Sequence, residues 1–192
     1  MNILNLQLTA MNDLSLHIID IIQNSLSAGA RLIKLTVNEN IKEDLLTIEI
    51  EDNGKGMTAQ QVMSLEDPFF TSRTTRRVGM GIPLFKQSAL QSSGDLIVLS
   101  EPGVGTKVTA TFKHSHIDRP PLGDLANSFI LMVSANPEID FYFSYIYNGN
   151  EYHFDSVEVK EVLEGLPVNE PSVIRMLTGM VDENIKEIKE EN

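Results

Sequence analysis

The 192-residue sequence contains no cysteine and no tryptophan. Without cysteine there are no disulfide bonds, no thiolate ligands for a metal ion and no cysteine nucleophile. The sequence also lacks an apolar run of the roughly 20 residues that a membrane-spanning helix needs. Residues 1–14 show no basic region followed by an apolar stretch, so no export signal is visible. We therefore expect a globular protein in the cytoplasm, with no membrane partner.

Basic residues are outnumbered: 15 Lys and Arg stand against 27 Asp and Glu, for a net charge of −12. The imbalance lies in residues 114–192, which carry 5 basic and 15 acidic side chains, whereas residues 1–113 carry 10 and 12. Because an acidic surface repels phosphate backbones, we expect no nucleic-acid partner. A phosphate site in this chain would have to be local, built from backbone N–H groups, a metal ion and a few basic side chains.

Residues 13–28 have the pattern of an amphipathic helix. Asp13 is suited to cap its amino terminus, and apolar residues recur behind it at three- and four-residue spacing. A polar set with the same spacing follows another side of the helix: His17, Asp20, Asn24 and Ser27. A polar stripe is typical of any surface helix, so by itself it does not indicate a site.

A predicted strand at residues 45–52 contains an unusual carboxylate. Leu46, Ile48, Ile50 and Asp52 share one face of the strand, because side chains alternate along extended backbone. Asp52 therefore ends a row whose other members favour burial. A carboxylate in such a place needs a hydrogen-bonding partner.

The remaining pattern predicts α/β alternation up to residue 113 and a second group of elements after it. A short helix should begin near residue 58, and helices are also predicted at 79–92, 124–134, 156–166 and 171–191. Strands are predicted at 31–37, 95–100, 106–113, 139–147 and 151–154. Pro120 and Pro121 mark residues 114–123 as a linker. The predicted organisation is a first domain at residues 1–113 and a small acidic α+β unit of unknown role at residues 124–192.

Five short motifs occur in the first 113 residues in a recognisable order. They are DIIQNSLSAGA at 20–30, DNGKGM at 52–57, DPFFTSR at 67–73, GMGIPL at 79–84 and GVGT at 103–106. In this order they resemble the N box, first glycine box, F box, second glycine box and following strand turn of the GHKL, or Bergerat-fold, ATPases. The resemblance spans about residues 14–113 and covers nothing beyond His116.

The resemblance implies an α+β fold, a two-layer α/β sandwich in which a mixed sheet carries helices on one face. It also implies ATP or ADP and Mg²⁺ as ligands. Asp52 would accept a hydrogen bond from the adenine amino group, with Thr106 beside it. Gly54, Gly56 and Met57 would form a turn that brings the backbone close to the base.

The resemblance also assigns residues to the metal and the phosphates. Asn24 would offer its amide oxygen to a Mg²⁺ ion that keeps most of its waters. Arginines on a loop at residues 73–77 would reach the γ-phosphate, and glycines at a helix start would present backbone N–H groups to phosphate. The remaining implied nucleotide contacts are Phe70, Thr71, Arg73, Arg77, Gly79, Met80 and Gly81.

One departure from the pattern bears on catalysis. Many ATP-hydrolysing members carry Glu four residues before the magnesium-binding Asn, whereas this chain has Asp20. The shorter side chain reaches roughly 1.5 Å less, enough to lengthen a productive hydrogen bond. Asp20 is the candidate general base, and a weak or inactive ATPase is the alternative.

Three functions are compatible with these residues. The first is a protein kinase that transfers the γ-phosphoryl group to a partner protein in signalling. The second is a non-catalytic switch whose docking surface responds to ATP, and the third is a slow ATPase. We expect no lysine-bearing transducer domain of the kind that topoisomerases and mismatch-repair proteins require, because residues 114–192 leave too little room for it. We favour the kinase, because in-line transfer depends on positioning and charge neutralisation more than on covalent help.

Overall fold

The computed structural model describes residues 13–65 and 81–190. The described helices are α1 (Leu14–Ser27), α2 (Ala59–Leu65), α3 (Gly81–Gln91), α4 (Leu125–Ala135), α5 (Ser156–Val162) and α6 (Pro171–Glu190). The described strands are β1 (Leu32–Asn40), β2 (Leu45–Asp52), β3 (Asp95–Glu101), β4 (Gly105–Lys113), β5 (Asp140–Tyr147) and β6 (Asn150–Asp155).

All six strands belong to one sheet in the order β3-β4-β2-β1-β5-β6. β1 and β5 run parallel, and the other neighbouring pairs are antiparallel, so the sheet is mixed. The parallel pair is possible because α4 and the segments around it carry the chain back across the sheet, which a tight hairpin cannot do.

The helices cover one face of the sheet, which we call the helix face. α1 packs against α3 and α4, and α4 packs against α6. Phe129 of α4 lies edge-on to Phe141 and Phe154 from the two last strands, and these three rings are buried. The hydrophobic core is therefore continuous from the first strands to the last.

The opposite face, which we call the open face, carries mainly polar side chains on β1, β2 and β4, with exposed Ile97 and Leu99 on β3. Lys34, Glu51 and Lys107 form a row of ion pairs across three strands. These side chains are about 40–50% exposed, so solvent screens the pairs and their contribution to stability is small. The two-layer α+β arrangement, with helices on one face of a mixed sheet, confirms the predicted fold class.

Capping residues fix where α1 begins and ends. Asp13 Oδ1 accepts a hydrogen bond from the backbone N–H of Leu16 at 3.2 Å, as predicted for an N-cap. Gly29 follows the helix with φ of +79°, a conformation that favours glycine. The next helix, α2, begins one residue after Thr58, whose side chain and that of Gln61 bond reciprocally to each other's backbone N–H.

The predicted linker at residues 114–123 is fastened to α1. The backbone N–H groups of Leu14 and Ser15 donate to the carbonyls of Pro121 and Leu122 at 2.8 and 3.0 Å. Beyond it, residues 124–190 add β5 and β6 to the same sheet and helices to the same face. The domain boundary itself stays a prediction. Across the described ranges, no helix has both the length and the apolar composition needed to cross a bilayer.

Candidate functional site

Asp52 lies at the last position of β2, on the helix face and half-buried. Its Oδ2 accepts a hydrogen bond from the Ser25 hydroxyl at 2.7 Å, and its Oδ1 accepts one from the Gly54 backbone N–H at 2.8 Å. A carboxylate has about four acceptor positions, so two remain after these bonds. The chain thus orients Asp52 firmly and leaves it able to accept from a ligand.

Thr106 is the direct cross-strand neighbour of Asp52, in the register between β2 and β4. Its Oγ1 lies 2.9 Å from the hydroxyl oxygen of Ser100. The same Ser100 oxygen accepts from the backbone N–H of Met57 at 2.8 Å. The end of the sheet therefore holds a connected polar network, and Met57 packs against the core beside it.

Two glycines in the turn after β2 are required by close packing. A Cβ on Gly54 would lie 2.9 Å from Asp52 Oδ1 and 3.0 Å from the Ala28 Cβ. A Cβ on Gly56 would lie 1.9 Å from the carbonyl oxygen of Glu101, and this residue has φ of +63°. The turn can lie against the neighbouring strand end only because both positions lack a side chain.

The polar side of α1 faces the first residue of α3. A Cβ on Gly81 would lie 3.1 Å from the Asp20 Cβ and 3.3 Å from its Oδ2, so the two helices meet closely here. Asn24 is half-exposed and lies one helical turn after Asp20, on the same side. The structure thereby brings Asp20, Asn24 and the start of α3 together. Burial raises the pKa of the Asp20 carboxyl above its usual range.

His17 leaves the polar stripe predicted for α1. The side chain is 2% exposed, stacks on Phe85 with ring centroids 5.0 Å apart, and has its Nε2 3.2 Å from the Ser88 hydroxyl. Burial lowers its pKa to about 4, against an opposing effect of Asp13. His17 is therefore a neutral packing residue between α1 and α3.

Six of the sequence-predicted contacts lie outside the described residues: Phe70, Thr71, Arg73, Arg77, Gly79 and Met80. Among the described ones, Asp52, Gly54, Gly56, Met57 and Thr106 meet at one end of the sheet. The second group consists of Asp20, Asn24 and Gly81, on α1 and α3.

Sequence reasoning missed two hydroxyl groups of this site, Ser25 and Ser100. Ser25 is 3% exposed and follows Ile21 by four residues, on the apolar side of α1. A serine at a position where the period calls for an apolar residue is the signal that would have found it. Ser100 gives no comparable signal, because only the sheet register brings it to Thr106.

A depression of about 420 Å³ also opens at this end of the sheet. Asp52 and Thr106 contribute to its rim, but much of its lining is on the open face, with Lys34, Glu51 and Lys107. Its lining does not include Asp20 or Asn24. We therefore assign the candidate site to the helix face. There Asp52 and Thr106 lie beside α1, the helix that carries Asp20 and Asn24.

Comparison with known proteins identifies a family for residues 10–116. The chain matches the family described as histidine kinase-, DNA gyrase B-, and HSP90-like ATPase over residues 10–116. It is 29% identical over 108 residues to the sensor histidine kinase RcsC of Escherichia coli K12, covering 52% of this chain and 11% of that protein. It is 30% identical over 83 residues to the sensor histidine kinase YxdK of Bacillus subtilis, covering 41% of this chain and 26% of that protein.

The matched segment is only a small part of these sensor kinases. A solved structure described as the N-terminal domain of a DNA repair protein covers 73% of this chain and 51% of its own, with a TM-score of 0.53 and 18% identity. That likeness concerns the fold.

The family match extends over more than half of the chain and over every motif described above. The chain belongs to the histidine kinase-, DNA gyrase B- and HSP90-like ATPases, and it contains the ATP-binding domain of that family.

Proposed function

We propose that this chain binds Mg²⁺-ATP beside Asp52 and transfers the γ-phosphoryl group to a protein partner in signalling. The observation that carries the proposal is the carboxylate of Asp52, oriented by Ser25 and Gly54 with acceptor capacity to spare. An adenine amino group is a hydrogen-bond donor that can use one of the two acceptor positions left on this carboxylate. Thr106 adds a hydroxyl next to it.

The phosphate end of the nucleotide would lie along α1 towards the start of α3. Asn24 would hold Mg²⁺ through its amide oxygen, and the ion would neutralise phosphate charge. Gly81 opens α3, where backbone N–H groups favour anions. The relatives with matching segments are sensor kinases, which supports protein phosphorylation over ATP hydrolysis alone.

Asp20 is the candidate general base. Its burial next to Gly81 raises its pKa, and a carboxylate of raised pKa is a better proton acceptor near neutral pH. Its side chain is shorter than the Glu of many hydrolysing members. This shorter reach favours a protein hydroxyl or imidazole that approaches closely over a water molecule held at a distance.

The test is to incubate the chain and the proteins that co-purify with it with [γ-³²P]ATP and Mg²⁺. Label on a protein, absent for Asp52→Asn, is the expected result. Nucleotide binding with neither label nor phosphate release contradicts phosphotransfer and favours a switch. Phosphate release that Asp20→Asn abolishes, without protein label, favours a slow ATPase.

A further inference from the structure

We infer that the outer edge of β3, the side that faces away from β4, is a docking site for a partner protein. The partner adds an extended, basic segment to the sheet as a further strand next to β3. This inference goes beyond the proposed function and does not depend on it.

β3 is the outermost strand of the sheet, and no described strand lies beyond it. The backbone N–H and the carbonyl oxygen of Asp95 lie 3.0 and 3.3 Å from Thr111 Oγ1 on β4, so these two groups face β4. Because the backbone groups alternate in direction along a strand, those of Leu96, Val98 and Ser100 point to the outer edge. Such a row of N–H and C=O groups is a template for another strand.

The sequence of β3 lacks the features that usually protect a sheet edge. The strand, DLIVLSE, contains no lysine, proline or glycine. On the open face it presents Ile97 and Leu99, which are 54% and 63% exposed. At the other edge of the sheet, β6 presents Glu151 and His153 on that face. The edge at β3 is therefore the one suited to pairing.

The apolar surface continues past the end of β3. Val104, in the turn between β3 and β4, is 61% exposed, and it lines the open-face depression together with Leu99. Exposed apolar side chains that adjoin one another mark interaction sites on protein surfaces. Apolar side chains of a docked strand would be buried against Ile97 and Leu99.

The charges at the two ends of β3 indicate a basic segment. Asp95 and Glu101 are exposed and share the open face with Ile97 and Leu99, because side chains two residues apart point to the same side. The matching segment carries Lys or Arg opposite each carboxylate and apolar residues at the two positions between them. Opposite charges stabilise a cross-strand pair. The net charge of −12 attracts such a segment as well.

A second copy of this chain matches the edge less well. If two β3 strands pair antiparallel with Ile97 opposite Leu99 of the second copy, Asp95 also lies opposite Glu101 of that copy. Like charges in directly opposite positions destabilise a strand pair. The net charge of each copy adds to this repulsion.

Ser100 connects the outer edge to the candidate site. Its backbone belongs to the row on the edge, whereas its hydroxyl oxygen lies 2.9 Å from Thr106 Oγ1 and accepts from the Met57 N–H. A segment docked on β3 therefore lies next to the polar network that borders Asp52.

The probe for this surface is the synthetic peptide Lys-Thr-Val-Thr-Val-Thr-Lys, titrated into the ¹⁵N-labelled chain without ATP or Mg²⁺. Its valines and terminal lysines match the pattern of β3 in either strand direction. We expect the amide signals of β3 to shift, and hydrogen exchange at the Val98 and Ser100 N–H groups to slow roughly fivefold or more near saturation. The control peptide with Glu in place of both lysines should bind roughly tenfold more weakly.

Leu99→Lys tests the surface itself. The variant places on an exposed position the charge that protects natural edges, so we expect the fold to persist and the affinity for the lysine peptide to fall roughly tenfold. Leu131→Lys is the matched control, because Leu131 is 46% exposed on α4. It should bind the peptide as the wild type does. Equal affinities of the wild type and Leu99→Lys overturn the inference.

Hydrogen exchange of the free protein tests whether the edge is open to a partner. We expect fast exchange at Val98 and Ser100. Slow exchange in a protein that is dimeric by sedimentation equilibrium means that a second copy occupies the edge, and slow exchange in a monomer means that the chain covers its own edge. Either result overturns the inference. Equal binding of the lysine and glutamate peptides also overturns it, because charge would then not select the segment.

Discussion

The Ser25 hydroxyl donates to Asp52 Oδ2 at 2.7 Å, joining α1 to the last residue of β2. Ser25 follows Asn24 directly, so one turn of α1 supplies both the candidate magnesium ligand and the support for the candidate adenine ligand. The two proposed ends of the nucleotide site are therefore coupled through a single rigid helix.

Replacing Asp52 with Asn should raise the Kd for ATP at least tenfold, about 1.4 kcal/mol. The amide turns an NH₂ group towards one of the donors, Ser25 or Gly54, and accepts the adenine amino group less strongly. Isothermal titration with and without Mg²⁺ measures the effect. Glu51→Gln is the matched control, because Glu51 is the adjacent residue on the open face. An unchanged Kd for Asp52→Asn would count against the site.

Ser25→Ala should weaken ATP binding several-fold and lower the free energy of unfolding by about 1 kcal/mol. The carboxylate of Asp52 then loses one of the two bonds that orient it. Ser27→Ala, an exposed serine on the same helix, should change neither quantity. Equal Kd values for the two variants, from the same titration, would show that the Ser25 bond does not position Asp52.

The rate of phosphotransfer should rise with pH through the raised pKa of Asp20, because only the ionised carboxylate can accept a proton. The inflection is expected above the usual range of an aspartate. A pH profile measured under single-turnover conditions shows it, and Asp20→Asn should slow the step at least a hundredfold while leaving the Kd for ATP within a factor of three. A profile that is flat over the acid range would remove Asp20 as the base.

Gly56→Ala should destabilise the protein by more than Gly103→Ala does. Both residues have positive φ, but a Cβ on Gly103 meets nothing within 4 Å, whereas one on Gly56 would lie 1.9 Å from the Glu101 carbonyl oxygen. The change at Gly103 should cost about 1–2 kcal/mol from backbone strain alone. Chemical denaturation measures the free energy of unfolding of the two variants, and the difference between them is the cost of the steric clash at Gly56. Similar values for the two variants would mean that the turn moves aside to admit the Cβ.

Lys189→Met should lower the free energy of unfolding by about 1–3 kcal/mol, because buried Glu39 loses a donor. Glu39 accepts from Lys189 and His114 at 2.8 Å each and from the Tyr145 hydroxyl. Burial acts to raise the pKa of Glu39, but these bonds together hold it below its usual value.

A lowered pKa in the folded state means that the Glu39 contribution is complete above the unfolded value and is lost as pH falls through the folded one. The wild type should therefore lose this stability only below about pH 4.5. Lys186→Met, on the same exposed helix end, is the control and should have little effect. Unfolding curves from pH 3 to 7 make the comparison.

Much of the fold could be predicted from local pattern. The alternation of Leu46, Ile48 and Ile50 gave β2 its bounds, and Asp13 and Gly29 marked the ends of α1 within a residue. These signals can be recognised in the sequence because they depend on backbone geometry and on solvent exclusion, which act over a few residues. The nucleotide assignment could likewise be made from the order of the motifs, because each motif is a local turn or helix face.

Contacts between distant segments were decided by the tertiary structure alone. The Ser25 hydroxyl bonds Asp52, which lies 27 residues further along the sequence. Glu39 accepts hydrogen bonds from side chains of the linker, of β5 and of the end of α6. On the open face, Tyr142 meets His153 and Ser144 meets Glu151 because β5 pairs with β6 in one register, and a one-residue shift would turn the side chains of one strand to the other face. The sequence by itself determined which residues can form helices, strands and a nucleotide site. Only the packed sheet decided which distant side chains complete that site, because their partners are chosen by register and topology.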